Sequence, residues 1–128
     1  MGQKTENDIS YLIRGAIFKV YNELGPGLLE SVYEQVLLFE LQKQGLDVKC
    51  QVPLPVFYEG HKMEIGFRLD LLVNEKVIIE IKSVENLAEV HHKQVLTYLK
   101  LSNFKLGILV NFNVDNITKG LFRKVNGL

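Results

Sequence analysis

Apolar residues at helical spacing dominate the first third of the chain and predict two helices. Thr5 and Asp8 have the spacing of a capping box. The apolar stripe that follows recurs every three or four residues and consists of Ile9, Leu12, Ile13, Ala16, Ile17, Val20 and Leu24. Gly25-Pro26-Gly27 ends this helix, because proline cannot continue it and glycine permits left-handed backbone. A second helix is predicted from about Leu29 to Gln44, before Gly45, with these residues inward: Val32, Val36, Leu37 and Leu41.

The middle of the chain alternates between apolar and polar residues, as half-buried strands do. The first predicted strand has four apolar positions, Leu46, Val48, Cys50 and Val52. Pro53 and Pro55 suit an edge or bulge, and Glu59-Gly60 suits a turn. The rest of the prediction consists of strands over about 65–73 and 77–84, a helix over 88–101, a strand over 106–110 and a polar tail ending in 121–125. The order is ααβββαβ, which indicates one α/β domain over residues 1–128.

The register of the predicted hairpin decides where its charged side chains lie. A three-residue loop, 74–76, pairs Asp70 with Glu80, whereas a two-residue loop pairs Asp70 with Ile79. The three-residue register gives one wholly apolar face: Leu69, Leu71, Val73, Val77, Ile79 and Ile81. The alternative would place unpaired charges in the core, which costs several kcal/mol each. We therefore predict that Asp70 and Glu80 lie side by side on the other face, with Lys82 next along the strand.

Two adjacent carboxylates repel each other unless a cation lies between them. Mg²⁺ or Mn²⁺ suits this position, since both prefer oxygen ligands, and Lys82 is placed to neutralise charge on a phosphate. The competing interpretation is a solvent-facing strand on which Arg68 neutralises the acidic pair in an ordinary salt-bridge cluster. The residues alone leave both interpretations open.

Composition limits the classes of function. The chain has 128 residues, 47% of them hydrophobic and 23% charged, as in an ordinary globular domain. Fifteen basic residues balance fifteen acidic ones, so any nucleic-acid contact must come from a local patch, a metal or a second subunit. No stretch reaches the ~18 apolar residues of a bilayer span, and we expect no signal peptide and no membrane partner. The lone Cys50 excludes an internal disulfide; we expect it to be buried, and the protein to be cytoplasmic.

The hairpin motif resembles that of a known superfamily. Asp70 is followed by nine residues and then by Glu80-Ile81-Lys82, within elements in the order αβββαβ. This pattern is similar to the PD-(D/E)XK nuclease signature, which belongs to the restriction-endonuclease-like fold. Gly27-Leu28-Leu29-Glu30-Ser31-Val32-Tyr33 matches the motif that names the GxxExxY family within that superfamily. The likeness extends from about Ile9 to Val114. Four further stretches are similar: Glu23-Leu24-Gly25-Pro26-Gly27, His91-His92-Lys93-Gln94, Thr97-Tyr98-Leu99-Lys100 and Gly107-Ile108-Leu109-Val110-Asn111-Phe112.

The resemblance implies a restriction-endonuclease-like core with an extra N-terminal helix and a mixed central sheet flanked by helices. It also implies that Glu30 joins Asp70 and Glu80 as a metal ligand, and that Gln94 orients water or contacts a phosphate. His91 and Tyr98 share a helical face with Gln94; His91 is open between lining the site and a structural hydrogen bond, whereas His92 is expected to be exposed and His61 to lie in a turn. Tyr33 either lines the site or packs on the sheet.

The predicted function is metal-dependent hydrolysis of phosphodiester bonds in nucleic acid, with DNA as the first expectation. Asp70, Glu80, Lys82 and Gln94 would act in catalysis, and the Ile81 carbonyl would add a metal ligand beside the carboxylates. Tyr21 stands where many members of the resembling family carry histidine, which puts the detailed mechanism in question. The alternative is a catalytically silent module of the same fold that binds nucleic acid or protein. A homodimer is a further hypothesis, because it could supply the basic surface that one subunit lacks.

Overall fold

Three helices and a five-stranded sheet form the framework of the computed structural model, which describes residues 3–128. The helices are α1 (Glu6–Leu24), α2 (Glu30–Lys43) and α3 (Glu89–Ser102). The strands are β1 (Val48–Leu54), β2 (Phe57–Tyr58), β3 (His61–Lys62), β4 (Phe67–Val73), β5 (Val77–Lys82), β6 (Leu106–Asn111) and β7 (Leu121–Val125), with a short 3₁₀ helix at Ile117–Gly120. The predicted helices and hairpin strands are confirmed, with ends that move by up to two residues.

The main sheet is mixed and has the strand order β1-β4-β5-β6-β7. Only β5 and β6 are parallel, and α3 makes the crossover between them. A separate two-stranded hairpin, β2–β3, has the predicted Glu59-Gly60 turn at its tip. This arrangement is the mixed sheet flanked by helices of the restriction-endonuclease-like α/β fold.

The core has two parts, one on each side of the sheet. The first core cluster packs α1 and α2 against the sheet, and its largest fully buried side chains include Tyr33, Leu37 and Phe112. The second core cluster packs α3 against the opposite face, through Tyr98 and Leu99. Burial of each such side chain contributes about 1.5–3 kcal/mol, so these clusters fix how α2 and α3 lie over the strands.

Local chemistry sets the start of α1 as the sequence predicts. Thr5 Oγ1 accepts the N–H of Asp8 at 3.1 Å, and an Asp8 carboxylate oxygen accepts the N–H of Thr5 at 2.9 Å. This is the predicted capping box, and it satisfies two amide groups that the helix cannot pair. Gly25 ends the helix with a φ of 70°, in the left-handed range that glycine tolerates.

The predicted three-residue hairpin register is confirmed. Val73 pairs with Val77 and Leu71 with Ile79, so the loop is 74–76. Asn74 and Glu75 both have positive φ, of 52° and 53°. The register therefore brings Asp70 opposite Glu80 across β4 and β5.

Side chains stop alternating between the two faces of the sheet at one point in β4. The prediction that Leu69 shares the apolar face with Leu71 is therefore wrong. Leu71 packs in the first core cluster, but Leu69 packs in the second. β1 changes face at the same level, since Val48 lies in the first cluster and Val52 borders the second. Gln51, between them, has a φ of 52°. The change of face therefore occurs at the same level in both paired strands, at Gln51 and Asp70, with no extra residue in either strand.

Several predicted burials are also wrong. Cys50 is exposed, because β1 is an edge strand and has a neighbour on one side only. Val32 and Leu24 are 39% and 38% exposed. The buried row of α2 starts at Tyr33 instead and continues through Leu37 and Leu41. The predicted polar tail 121–125 is β7, antiparallel to β6.

Candidate active site

Asp70 and Glu80 meet where the ladder between β4 and β5 gives way. Paired residues follow each other from Val73 to Leu71, and beyond them side chains replace the backbone bonds. The N–H of Asp70 donates to Glu80 Oε2 at 3.2 Å, and the N–H of Ile81 donates to Asp70 Oδ2 at 2.8 Å. Each carboxylate is thus held by the backbone of the opposite strand. This contact confirms the predicted juxtaposition of the two side chains.

Burial makes this pair electrostatically costly. Glu80 is only 5% exposed. Its removal from water, followed by the negative charge of Asp70, raises the pKa of Glu80 to about 9. Tyr98, on α3, lies beside the pair: burial and then the charges of Glu80 and Asp70 raise its pKa to about 12. The charges of the pair therefore reach Tyr98 on α3.

Lys82 lies two residues along β5 from Glu80, and its positive charge lowers the pKa of Glu80 by less than burial and Asp70 raise it. Arg68 does not neutralise the pair. Its guanidinium donates to the carbonyl oxygen of Gln51 at 3.4 Å, and among residues 3–128 no salt bridge involves Arg68, Asp70 or Glu80. The interpretation as an Arg68 salt-bridge cluster is therefore wrong for the described part of the chain.

Glu30, the first residue of α2, lies at the other end of the strand motif. Its Oε2 accepts the N–H of Ser83 at 3.3 Å, one residue after Lys82. The Ser83 hydroxyl donates to the carbonyl oxygen of Leu28 at 2.6 Å. The loop before α2 is thereby tied to the end of β5, and Glu30 is placed beside Lys82.

Tyr33 supports this loop from beneath. It is fully buried, and its ring stacks on Phe112 with centroids 4.2 Å apart. Its hydroxyl donates to the carbonyl oxygen of Gly25 and accepts the N–H of Leu28 at 3.2 Å. Of the two predicted alternatives for Tyr33, packing on the sheet agrees with these contacts.

The same end of β5 is also pinned by Asn111, which is 2% exposed. Its side chain accepts the N–H of Val84 at 3.0 Å and donates to the Val84 carbonyl at 2.8 Å.

Tyr21, where the resembling family often has histidine, donates its hydroxyl to the carbonyl oxygen of Val114. In this chain the position therefore carries a structural hydrogen bond.

The predicted residues of α3 divide into two groups. Gln94 is partly buried one turn before Tyr98, on the face that borders the acidic pair. His91 instead accepts the N–H of Ala88 on Nδ1 at 3.0 Å and so closes the start of the helix, which favours its structural alternative. His92, expected to be exposed, is partly buried with its ring edge-on to Phe122. The proposed roles of Gln94 and of the Ile81 carbonyl stay predictions.

Two residues near the site, Glu34 and Gln51, belong to none of the sequence motifs. Gln51 Nε2 donates to Glu34 Oε1 at 2.8 Å. Burial raises the pKa of Glu34, the hydrogen bond from Gln51 lowers it, and the charge of Asp70 raises it further. One signal lies in the sequence, since Glu34 follows Glu30 by four residues on the same helical face. The position of Gln51 opposite Asp70 depends on the pairing of β1 with β4.

The donors fit a hard divalent cation through the two strand carboxylates. Asp70 and Glu80 present adjacent oxygens that lack a neutralising partner within residues 3–128, and oxygen ligands are what Mg²⁺ and Mn²⁺ prefer. No group of three or more His, Cys, Asp or Glu side chains in that range lies close enough to hold a metal; Glu30 is bonded to Ser83 instead. The pair thus suits an ion that keeps several waters, as Mg²⁺ usually does.

Comparisons with known proteins agree with this geometry. The family model of the PD-(D/E)XK nuclease superfamily matches residues 7–124. The crystal structure of SSO0001 is similar, with a TM-score of 0.51 and 23% identity over 99% of this chain and 71% of that one, a likeness of fold. No curated protein matches the chain. Within residues 3–128, no helix is long and apolar enough to cross a bilayer. Because the family model covers nearly the whole chain, the protein belongs to the PD-(D/E)XK nuclease superfamily.

Proposed function

We propose that the protein is a metal-dependent nuclease that hydrolyses phosphodiester bonds in nucleic acid, with DNA as the first candidate substrate. The observation that carries this proposal is the buried contact of Asp70 with Glu80, next to Lys82 on the same strand. Two ionised carboxylates that lie side by side repel each other, so their burial is costly unless a cation neutralises them. A site that binds cations and lies beside an ammonium group suits a phosphodiester substrate.

The residues divide the chemical work between them. Asp70 and Glu80 would hold Mg²⁺ or Mn²⁺ with the carbonyl of Ile81, and Glu30 would join them as a ligand on giving up its bond to Ser83. When bound, the cation supplies positive charge that stabilises the reacting phosphate and lowers the pKa of the attacking water. The water oxygen gives up a proton as it bonds to phosphorus, one ester P–O bond breaks, and the leaving oxygen takes up a proton, so that none is gained or lost overall.

Lys82 and Gln94 act on the phosphate and the water. The Lys82 ammonium neutralises negative charge as it develops on the phosphate oxygens, a contribution worth roughly 10²–10³ in rate for a single donor. Gln94, on the α3 face that also carries Tyr98, orients the water or a backbone phosphate. Tyr98 borders the acidic pair and excludes solvent from it.

The test is a cleavage assay on single-stranded, duplex and branched substrates with Mg²⁺ or Mn²⁺, comparing the wild-type protein with Lys82→Ala. Lys105→Ala serves as the matched control, since Lys105 is an exposed lysine distant in sequence from the motif. We expect Lys82→Ala to lose about 10²–10³ in rate at an unchanged melting temperature, and the control to retain full activity. Equal rates for both variants would refute the proposed role of Lys82.

A second candidate function is a non-catalytic module that binds nucleic acid or protein through the same surface. The zero formal net charge favours it, because phosphate binding without a metal usually requires a basic surface. The same assay separates the two functions. A silent module would bind a substrate and leave it intact in either metal, with no difference between wild type and Lys82→Ala in product formed.

The finer assignment to the GxxExxY family also belongs to this proposal. The assignment is supported by the contacts of two motif side chains. Tyr33 accepts the N–H of Leu28 and so holds the loop before α2, and Glu30 accepts the N–H of Ser83 after β5. A homodimer is proposed as the source of further basic surface, and sedimentation with and without a duplex oligonucleotide would reveal it.

A further inference from the structure

We propose that Glu34 is the α2 carboxylate that adds its charge to the cation site of Asp70 and Glu80, and that Gln51 is the residue that positions it. This inference rests on the proposed function, because it concerns the same cation site. It assigns to Glu34 an outer role at this site, distinct from the ligand role that the resemblance implies for Glu30.

Helix α2 presents two carboxylates on one face. Glu30 and Glu34 are separated by four residues, so their side chains emerge one turn apart. The rotation of the helix is fixed by Tyr33, Leu37 and Leu41, which are fully buried in the first core cluster. Glu30 reaches the end of β5, where it bonds Ser83. Glu34, one turn further on, reaches β1 and bonds Gln51.

Gln51 lies opposite Asp70 in the sheet. Cys50 pairs with Leu71 and Val52 with Leu69, which leaves Gln51 and Asp70 facing each other without a ladder pair between them. Opposite residues of antiparallel strands have Cα atoms only about 4.5–5.5 Å apart. The hydrogen bond from Gln51 therefore brings the Glu34 carboxylate to the level of Asp70.

The backbone of Gln51 aims its side chain at the helix. Its φ of 52° is rare for a residue with a side chain, and it coincides with the change of face in β1. The Gln51 carbonyl oxygen accepts a bond from the Arg68 guanidinium at 3.4 Å. The side-chain amide of the same residue donates to Glu34 Oε1, so Gln51 contacts both β4 and α2.

The second oxygen of Glu34 has no protein donor among residues 3–128, and no lysine or arginine in that range forms a salt bridge with it. A partly buried carboxylate with one free oxygen can accept a hydrogen bond from a water on a nearby cation. Such outer partners of a metal site usually change its affinity by about 10–100-fold when they are removed. Glu34 would thus strengthen cation binding without contacting the ion.

The test is calorimetric titration of Mn²⁺ into the full chain without nucleic acid. We compare wild type with Glu34→Gln, which keeps the shape and the bond partner but removes the charge, and with Gln51→Gly, which removes the amide and suits the positive φ. Glu23→Gln, which removes an exposed carboxylate on α1, is the matched control, and Asp70→Asn reports on the site itself. Thermal unfolding in EDTA verifies that each variant is folded.

We expect Mn²⁺ binding to weaken about tenfold or more in Glu34→Gln, to weaken to a smaller degree in Gln51→Gly, and to stay unchanged in Glu23→Gln. If Glu34→Gln binds Mn²⁺ like Glu23→Gln while Asp70→Asn loses binding, the inference is overturned and the proposed function stands. If Gln51→Gly alters only the melting temperature, its positioning role is overturned. If wild type binds no Mn²⁺, the proposed function fails and the inference with it.

Discussion

Stability should fall with rising pH because of Glu80, and a single substitution should remove that fall. The pKa of Glu80 is raised from 4.5 to about 9 by burial and by Asp70. Between these values the folded chain keeps a proton on Glu80 that the unfolded chain releases. Because the folded state then binds one more proton, each pH unit lowers the free energy of unfolding by about 1.4 kcal/mol. From about pH 7 to about pH 8.5 the loss amounts to about 2 kcal/mol.

Urea denaturation across that window in EDTA, for wild type and Glu80→Gln, measures this effect. The window excludes His92, whose pKa is lowered from 6.5, and Tyr98, whose pKa is raised to about 12. The free energy of unfolding should decline in wild type and stay level in the variant. Saturating Mn²⁺ should also flatten the wild-type profile, because cation binding displaces the proton. Parallel declines in wild type and variant would refute the assignment of this proton to Glu80.

Three further substitutions test the supports around the site. Tyr33→Phe keeps the stacked ring but loses the bond to the Gly25 carbonyl, so urea denaturation should give a loss of about 1 kcal/mol; an unchanged midpoint would contradict a supporting role. Gly120→Ala brings a Cβ into the carbonyl oxygen of Asn111, and calorimetry should report a loss of about 1–3 kcal/mol, whereas wild-type stability would show that the turn relaxes freely. Gln51→Gly should equal or exceed wild-type stability by up to about 1 kcal/mol, since glycine tolerates its positive φ; a clear loss would mean that the Gln51 side chain is structural.

The hairpin and its acidic pair could be predicted from sequence because the pattern there admits few solutions. Val73 and Val77 pair only if the loop has three residues, and any other register would put charge in the core. The two helical ends at Thr5 and Gly25 were equally accessible, since capping chemistry is local. These predictions use interactions between residues that are near in sequence or in one hairpin.

The errors arise where distant strands interact. Leu69 lies on the unexpected face because β1 and β4 both change face at one level, where Gln51 has a positive φ, and regular alternation gives no warning of this. Cys50 is exposed because β1 is an edge strand, which depends on the strand order. Glu34 was overlooked for the same reason: its relation to Asp70 passes through Gln51, in a strand whose pairing the sequence pattern does not determine. β7 was hidden by Arg123 and Lys124, whose charges made the segment look like a tail.

The central claim, that Asp70 and Glu80 form a cation site, is tested most directly by thermal unfolding with and without Mn²⁺. A ligand present at about a hundred times its dissociation constant stabilises the folded state by about 2.7 kcal/mol. We predict a rise in the melting temperature of the wild-type protein and no rise for Asp70→Asn in the same Mn²⁺ titration. An equal rise in both proteins, or none in wild type, would contradict the claim.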